Sequence, residues 1–259
     1  TNPPSMVADI RTGSSGSTPN DLTVFDNQLY FEATDGTHGL ELWTYDGTNP
    51  PSMIADIRTG ASSSPGELTV FDNQLYFEAN DGTHGSELWT YDGTNPPSMV
   101  ADIRTGSIGS TPDDLTVFDN QLYFEASDGI YGSELWTYDG TNPPSMVADI
   151  RTGSSGSTPN DLTVFDNQLY FEATDGTHGH ELWTYDGTNP PSMIADIRAG
   201  SNIYGSYPGH LTVFDNQIYF RANDGTHGSE LWTYDGTNPP SMFADITTDS
   251  VVVSSDFLT

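Results

Sequence analysis

The segment Asp35-Gly-Thr-His-Gly39 places a carboxylate, a hydroxyl and an imidazole in one turn, and it recurs from Asp81, Asp175 and Asp224. The copy from Asp128 reads Asp-Gly-Ile-Tyr-Gly, with Tyr131 in place of the imidazole. Such a set suits a binding loop, so the candidate ligand residues are Asp35, His38, Asp81, His84, Asp128, Tyr131, Asp175, His178, Asp224 and His227. The plainer reading is that Asp and Gly serve the turn itself. Tyr204 and Tyr207 join the candidates because they stand in the longest variable loop. Zinc is disfavoured, since one histidine per copy offers no chelating pair. Calcium takes oxygen ligands, so it could draw on the recurring aspartates Asp35, Asp46, Asp81, Asp92, Asp128, Asp139, Asp175, Asp186, Asp224 and Asp235. Against it, no copy contains a D-x-D-x-D-G loop.

Other reactive types read as structural. Asp26, Glu41 and Asp56 also recur in every copy. Trp43 and its copies could stack on sugar rings, but a tryptophan next to Leu42 in a strand is expected to pack between sheets. Arg11 and its copies at Arg58, Arg104, Arg151 and Arg198 are expected to pair with nearby carboxylates. There is no Gly-x-Ser-x-Gly, nucleotide loop or His-Glu-x-x-His. Near-identical copies also repeat the same residues, whereas catalysis needs different residues in assigned roles. A non-enzymatic protein is therefore expected.

The elements that position these groups come from a repeat of about 47 residues. Trp43, Trp89, Trp136, Trp183 and Trp232 fall 46, 47, 47 and 49 apart. All length variation lies between the Ala-Asp-Ile segment and the next Leu-Thr-Val-Phe, a Gly-, Ser- and Pro-rich stretch that reads as a surface loop. Between loops lie four short runs rich in β-branched and aromatic residues, bounded by turn residues, and none has a helical period. Phe25-Asp-Asn-Gln-Leu29 leaves room only for a tight hairpin. The expected fold is all-β, a five-bladed β-propeller of four-stranded antiparallel blades, because stacked sheets cover each other's apolar faces. A β-solenoid is the main rival, although its coils are usually shorter. Separate beads would leave Trp43, Tyr30 and Phe31 poorly covered.

The expected organisation is one domain over 1–259, with blades at 22–57, 68–103, 115–150, 162–197 and 211–246. The fourth-strand sequence occurs six times and the other three five times. Residues 1–10 are therefore a surplus outer strand that could close a ring against the strand of Trp232, displacing Met242-Phe-Ala-Asp-Ile246; alternatively they stay free. The divergent tail 247–259 contains Val251-Val-Val253. Self-association through an unpaired edge strand is a further expectation.

Six arginines and no lysine stand against 37 acidic residues, giving a formal charge of −31. Nucleic acid is excluded as a partner, because nothing here neutralises phosphates. No apolar run approaches a membrane span. The absence of cysteine removes disulfides and thiolate chemistry. A start at Thr1 without an initiator Met suggests a processed or trimmed product. The acidic, Gly-, Ser-, Thr- and Asn-rich composition leans toward a bacterial extracellular or cell-surface protein.

The run Glu41-Leu-Trp-Thr-Tyr-Asp-Gly-Thr48, repeated from Glu87, Glu134, Glu181 and Glu230, resembles the ELWxxDGT repeat family of bacterial and cyanobacterial extracellular proteins. The flanking Leu-Tyr-Phe-Glu-Ala and Ala-Asp-Ile-Arg-Thr-Gly also look like its longer consensus, and the likeness covers about nine tenths of the chain. The strand order is similar to kelch-type propellers, but Glu32-Ala33 replaces their paired glycines. The resemblance implies a propeller-like fold at a cell surface and no established catalytic residue. The expected function is a non-catalytic structural, adhesion or assembly module for a cell-surface or matrix component, with equivalent surfaces, no required cofactor and calcium as an optional ligand. The alternative is a lectin that binds glycan in pockets between blades.

Overall fold

The computed structural model describes residues 3–200 and 204–245. Ile246, the tail 247–259 and its Val251–Val253 run lie outside the described residues. Among the described residues there are twenty strands and no helix. The first blade consists of β1 (Asn20–Phe25), β2 (Gln28–Thr34), β3 (Leu40–Tyr45) and β4 (Ser52–Ala55). The second consists of β5 (Gly66–Phe71), β6 (Gln74–Asn80), β7 (Ser86–Tyr91) and the short β8 (Ser98–Met99). The third consists of β9 (Asp113–Phe118), β10 (Gln121–Ser127), β11 (Ser133–Tyr138) and β12 (Ser145–Ala148). The fourth consists of β13 (Asn160–Phe165), β14 (Gln168–Thr174), β15 (His180–Tyr185) and β16 (Ser192–Ala195). The fifth consists of β17 (Gly209–Phe214), β18 (Gln217–Asn223), β19 (Ser229–Tyr234) and β20 (Ser241–Ala244). Each set forms one four-stranded sheet in chain order.

Local chemistry accounts for each connection. Asp26 and Asn27 carry φ of 45° and 61°, the left-handed pair that a two-residue hairpin turn requires. The turn fixes Phe25 opposite Gln28, and this sets the register of β1 on β2. One extra residue between Asn20 and Thr23 makes a bulge, with Asp21 left-handed at φ 50°. Glu67, Asp114, Asp161 and His210 take the same conformation in the later blades.

The described residues group into two compact bodies, one ending at Leu162 and the other beginning at Thr163. In the first body, Phe25, Tyr30 and Leu42 pack on Leu68, Leu75, Phe77 and Tyr91 of the next blade. Phe71, Tyr76 and Leu88 meet Leu115, Leu122, Phe124 and Trp136 in the same manner. In the second body, Phe165, Tyr170 and Leu182 meet Ile218, Phe220 and Trp232. Each blade therefore offers a leading face and a following face of different residues. Tyrosines seal the seams: Tyr30 and Tyr91 ring centres lie 5.9 Å apart, and those of Tyr76 and Tyr138 5.8 Å.

Residues 3–10 form no strand. β20 pairs with β19, Met242 opposite Trp232, at the edge that one of the two alternatives gave to Met6–Ile10. β20 follows β19 by a short turn, so this pairing needs no distant chain closure.

The variable stretch is also more than a surface loop. Ser63, Ser110, Ser157 and Ser206 within it are buried. Ser63 N–H and Oγ–H donate to Glu41, and Ser63 O accepts from Asn80 N–H on the next blade. The loop is thus a clasp between consecutive sheets. Close backbone passage supports it: a Cβ on Gly85 would meet Gly109 N at 2.3 Å.

Candidate functional site

The Asp-Gly-Thr-His turns are built alike. Asp35 Oδ1 accepts from Thr37 N–H at 2.7 Å and His38 N–H at 3.0 Å, while Oδ2 lies 2.7 Å from His38 Nδ1. The backbone N–H groups of Thr37 and His38, with the imidazole behind them, hold the Asp35 carboxyl down at about 2. The carboxylate in turn raises the His38 pKa. The same 2.7 Å contact joins His84 to Asp81, His178 to Asp175 and His227 to Asp224. Asp128 keeps only the backbone half, to Ile130 and Tyr131, and both of those side chains are exposed. Within each turn the aspartate and histidine come together, but the aspartate is used chiefly to build the turn.

Asp46 caps its own turn separately, accepting from Thr48 N–H, Asn49 N–H and the Asn49 amide. Asp92, Asp139, Asp186 and Asp235 repeat this, and the cause that leads in lowering each of these carboxyls is the asparagine side chain. Among the described residues no group of three or more acidic or histidine side chains is arranged to hold a metal ion. Asp35 and Asp46, both among the calcium candidates, belong to separate turns.

Glu41 stands apart from the other recurring carboxylates. It is fully buried, accepts from Ile57 N–H, Ser63 N–H and Ser63 Oγ–H, and burial raises its pKa. Glu87, Glu134 and Glu181 do the same for Ser110, Ser157 and Ser206. Its role is structural. A sequence signal existed: the serine precedes the next Leu by five residues in every copy, however long the loop.

The arginines do not take carboxylate partners within 4 Å among the described residues. They lie instead against the Asp-Gly turn of the blade that follows, where a Cβ on Gly36 would meet Arg11 Nε at 2.7 Å and one on Gly82 would meet Arg58 Nε at 3.0 Å. Arg198 also stacks on exposed Tyr204, its guanidinium carbon 5.3 Å from the ring centre. Tyr207 stacks on His180 at 5.1 Å.

Two features were not foreseen. The bulge residues form an acidic row: Asp114 N–H donates to Glu67, and Leu162 N–H donates to Asp114. Burial, reinforced by neighbouring acids, pushes Glu67 up to about 7 and Asp114 to about 6. Glu125, raised to about 7 by the same cause, shares a polar cleft of about 230 Å³ with Glu78 and Asp113. The second feature is a cleft of about 440 Å³ between the second and third blades, lined by Asp102, Asp128, Ile130, Trp136, Pro143 and Pro144. Trp136 is 9% exposed, and neither its Nε1 nor Asp102 Oδ1 has a hydrogen-bond partner. The Nε1 of Trp43, Trp89, Trp183 and Trp232 and the Oδ1 of Asp56, Asp149 and Asp196 share that state.

No protein-family model matches the chain, and no curated protein matches it. Solved structures do. A puromycin hydrolase aligns with a TM-score of 0.61 and 13% identity over 90% of this chain and 38% of its own. A prolyl endopeptidase gives 0.59 and 12% over 87% and 34%. A puromycin-hydrolyzing peptidase of Mycobacterium tuberculosis gives 0.57 and 11% over 92% and 40%. This chain thus spans about a third to two fifths of those proteins, and the likeness is to their propeller domains. At such identity it shows the fold alone: the chain has the five-bladed β-propeller fold.

Proposed function

We propose that the chain is a non-catalytic adhesion or assembly module of a bacterial cell surface, holding equivalent weak binding surfaces on a rigid scaffold. The observation that carries this reading is the identical construction of the four Asp–His turns, each with its 2.7 Å contact and a partly exposed histidine. Repetition favours multivalency over catalysis, because linked weak sites gain roughly 10²–10⁴ in avidity on a repetitive target. A charge of −31 favours a neutral target over an acidic one. Retention on beads coated with neutral bacterial polysaccharide at graded density tests it. Retention should climb steeply with density and fall stepwise as His38, His84, His178 and His227 are changed to Ala. Density-independent binding, or a quadruple variant that binds unchanged, overturns the reading.

Carbohydrate binding is the second reading, and the cleft of Trp136 and Asp102 favours it. Asp102 and Trp136 line it, and Pro143, Pro144 and Ile130 suit the C–H face of a sugar ring. Glycan-array binding that free sugar abolishes, and that Asp102→Asn weakens about tenfold, supports it. An array with no signal removes it.

A further inference from the structure

The third copy of the Asp-Gly-Thr-His turn departs from the others in a way that changes its chemistry. Ile130 and Tyr131 replace the threonine and histidine, and in the loop that leaves the second blade Ile108 stands where Ser15 and Ser155 stand in the loops of equal length. All three side chains are exposed, Ile130 and Ile108 by about two thirds and Tyr131 by 40%. Apolar groups set on the surface of an otherwise near-identical repeat mark a contact surface. One loop connects them. Its Arg104 end lies on the third-blade turn, where a Cβ on Gly129 would meet Arg104 Nε at 2.9 Å, and its Gly109 end lies on Gly85 of the second-blade turn.

The cleft of about 440 Å³ opens at this seam, with Thr105 of the loop and Ile130 of the turn both lining it. β8 stops at Met99, two residues short of the other fourth strands, and Asp102 and Ile103 of the segment beyond it form one wall. Ile130, Pro143 and Pro144 add apolar walls. Asp128 brings a second carboxylate. Its Oδ1 accepts from Ile130 and Tyr131 N–H, but its Oδ2 has no imidazole against it, whereas in the second-blade turn His84 Nδ1 lies 2.7 Å from Asp81 Oδ2. Arg104 does not line the cleft and makes no ion pair with Asp102 or Asp128 within 4 Å. Two carboxylates and three apolar side chains thus share a cleft with no cation of its own. We infer that this cleft binds a sugar carrying a free amine, its ammonium at Asp128 and Asp102 and its ring C–H face on Ile130, Pro143 and Pro144. A neutral sugar offers the walls the same ring but offers the carboxylates only weaker, uncharged donors. The formal charge of −31 also favours a cation. The odd copy is then a distinct site and not a lost one. The inference deepens the carbohydrate reading and rests on it.

Titration calorimetry with a short glucosamine oligomer and its N-acetylated form, at slightly acidic pH where the free amine is protonated, tests the proposal. The glucosamine oligomer should bind more tightly by about tenfold or more, the effect of one hydrogen bond to a charged group. Asp128→Asn keeps the oxygen that closes the turn, so it should spare the fold, which circular dichroism checks, and remove the preference. Tyr131→His should remove it as well, by setting an imidazole on Asp128 as His84 sits on Asp81. Equal binding of the two oligomers overturns the inference and leaves the carbohydrate reading standing, whereas binding of neither overturns both. A preference that survives both substitutions belongs to the overall charge and overturns the assignment to this cleft. A lysine oligomer of equal charge that binds as tightly, and that the same substitutions weaken, overturns the sugar.

Discussion

Ser110 Oγ lies 2.5 Å from Glu87 Oε2, and neither residue has any solvent exposure. Glu87 also accepts from the N–H groups of Ile103, Arg104 and Ser110, so one carboxylate ties a blade to the loop that leaves it. Since Ser127 N–H donates to Ser110 O, the same serine reaches the next blade.

Ser110→Ala should therefore destabilise the chain by about 1–3 kcal/mol, the cost of leaving a buried acceptor short of a donor. Urea denaturation measures it through the midpoint at unchanged slope. A midpoint within error of the parent would show that the clasp contributes nothing.

Glycine at the same seam is required by space as well as by backbone. Gly109 has φ 77°, and its added Cβ would meet Ser86 N at 2.3 Å, whereas Gly47 has φ 84° and nothing within 4 Å. Gly47→Ala should cost the roughly 1–2 kcal/mol of a left-handed alanine. Gly109→Ala should cost about 1–3 kcal/mol beyond that. Equal losses would refute the steric part of the argument.

Stability should rise on mild acidification. Glu67, Glu125 and Asp114 are held at about 7, 7 and 6, above their unfolded values near 4–4.5. The folded chain then binds more protons than the unfolded chain between those limits. Their contribution is complete below the unfolded pKa and is lost as pH rises through about 6–7. Asp35, held at about 2, has the opposite sign, and its contribution fades as pH falls toward that value. The melting temperature should thus peak near about pH 5, and Glu125→Gln should flatten the arm above it. A melting temperature that climbs steadily from pH 5 to 8 would sink this account.

The four turn histidines should titrate above the ordinary histidine pKa, each raised first by its hydrogen-bonded aspartate. Asp35→Asn should return His38 toward the ordinary value in an NMR titration. Tyr131→His should give a fifth raised imidazole, because Asp128 already caps that turn. A new histidine titrating as in a free peptide would mean that the turn does not position it.

Strand number, hairpins and blade count were legible because each is written locally. Asp26-Asn27 dictates its turn, and the Trp spacing dictates the period. The clasp was harder to see, since Glu41 and Ser63 are 22 residues apart and serine in a Gly-rich stretch reads as loop. The arginines misled because their side chains lie against the Asp-Gly turn of the following blade rather than beside a carboxylate. The acidic row was hidden for a different reason: a bulge places Glu67 and Asp114 in left-handed conformations that composition does not predict. Trp136 was correctly expected in the core, but its unpartnered N–H depends on geometry that no spacing encodes.

The interval from the buried serine to the next leucine is five residues in every copy, whereas the interval from arginine to serine runs from five to eight. Upstream of its anchor each loop is therefore free to lengthen without shifting the sheet behind it. A foreign peptide spliced between Arg151 and Ser157 would be tethered at both ends, so the scaffold doubles as a display frame whose cargo can be exchanged one blade at a time.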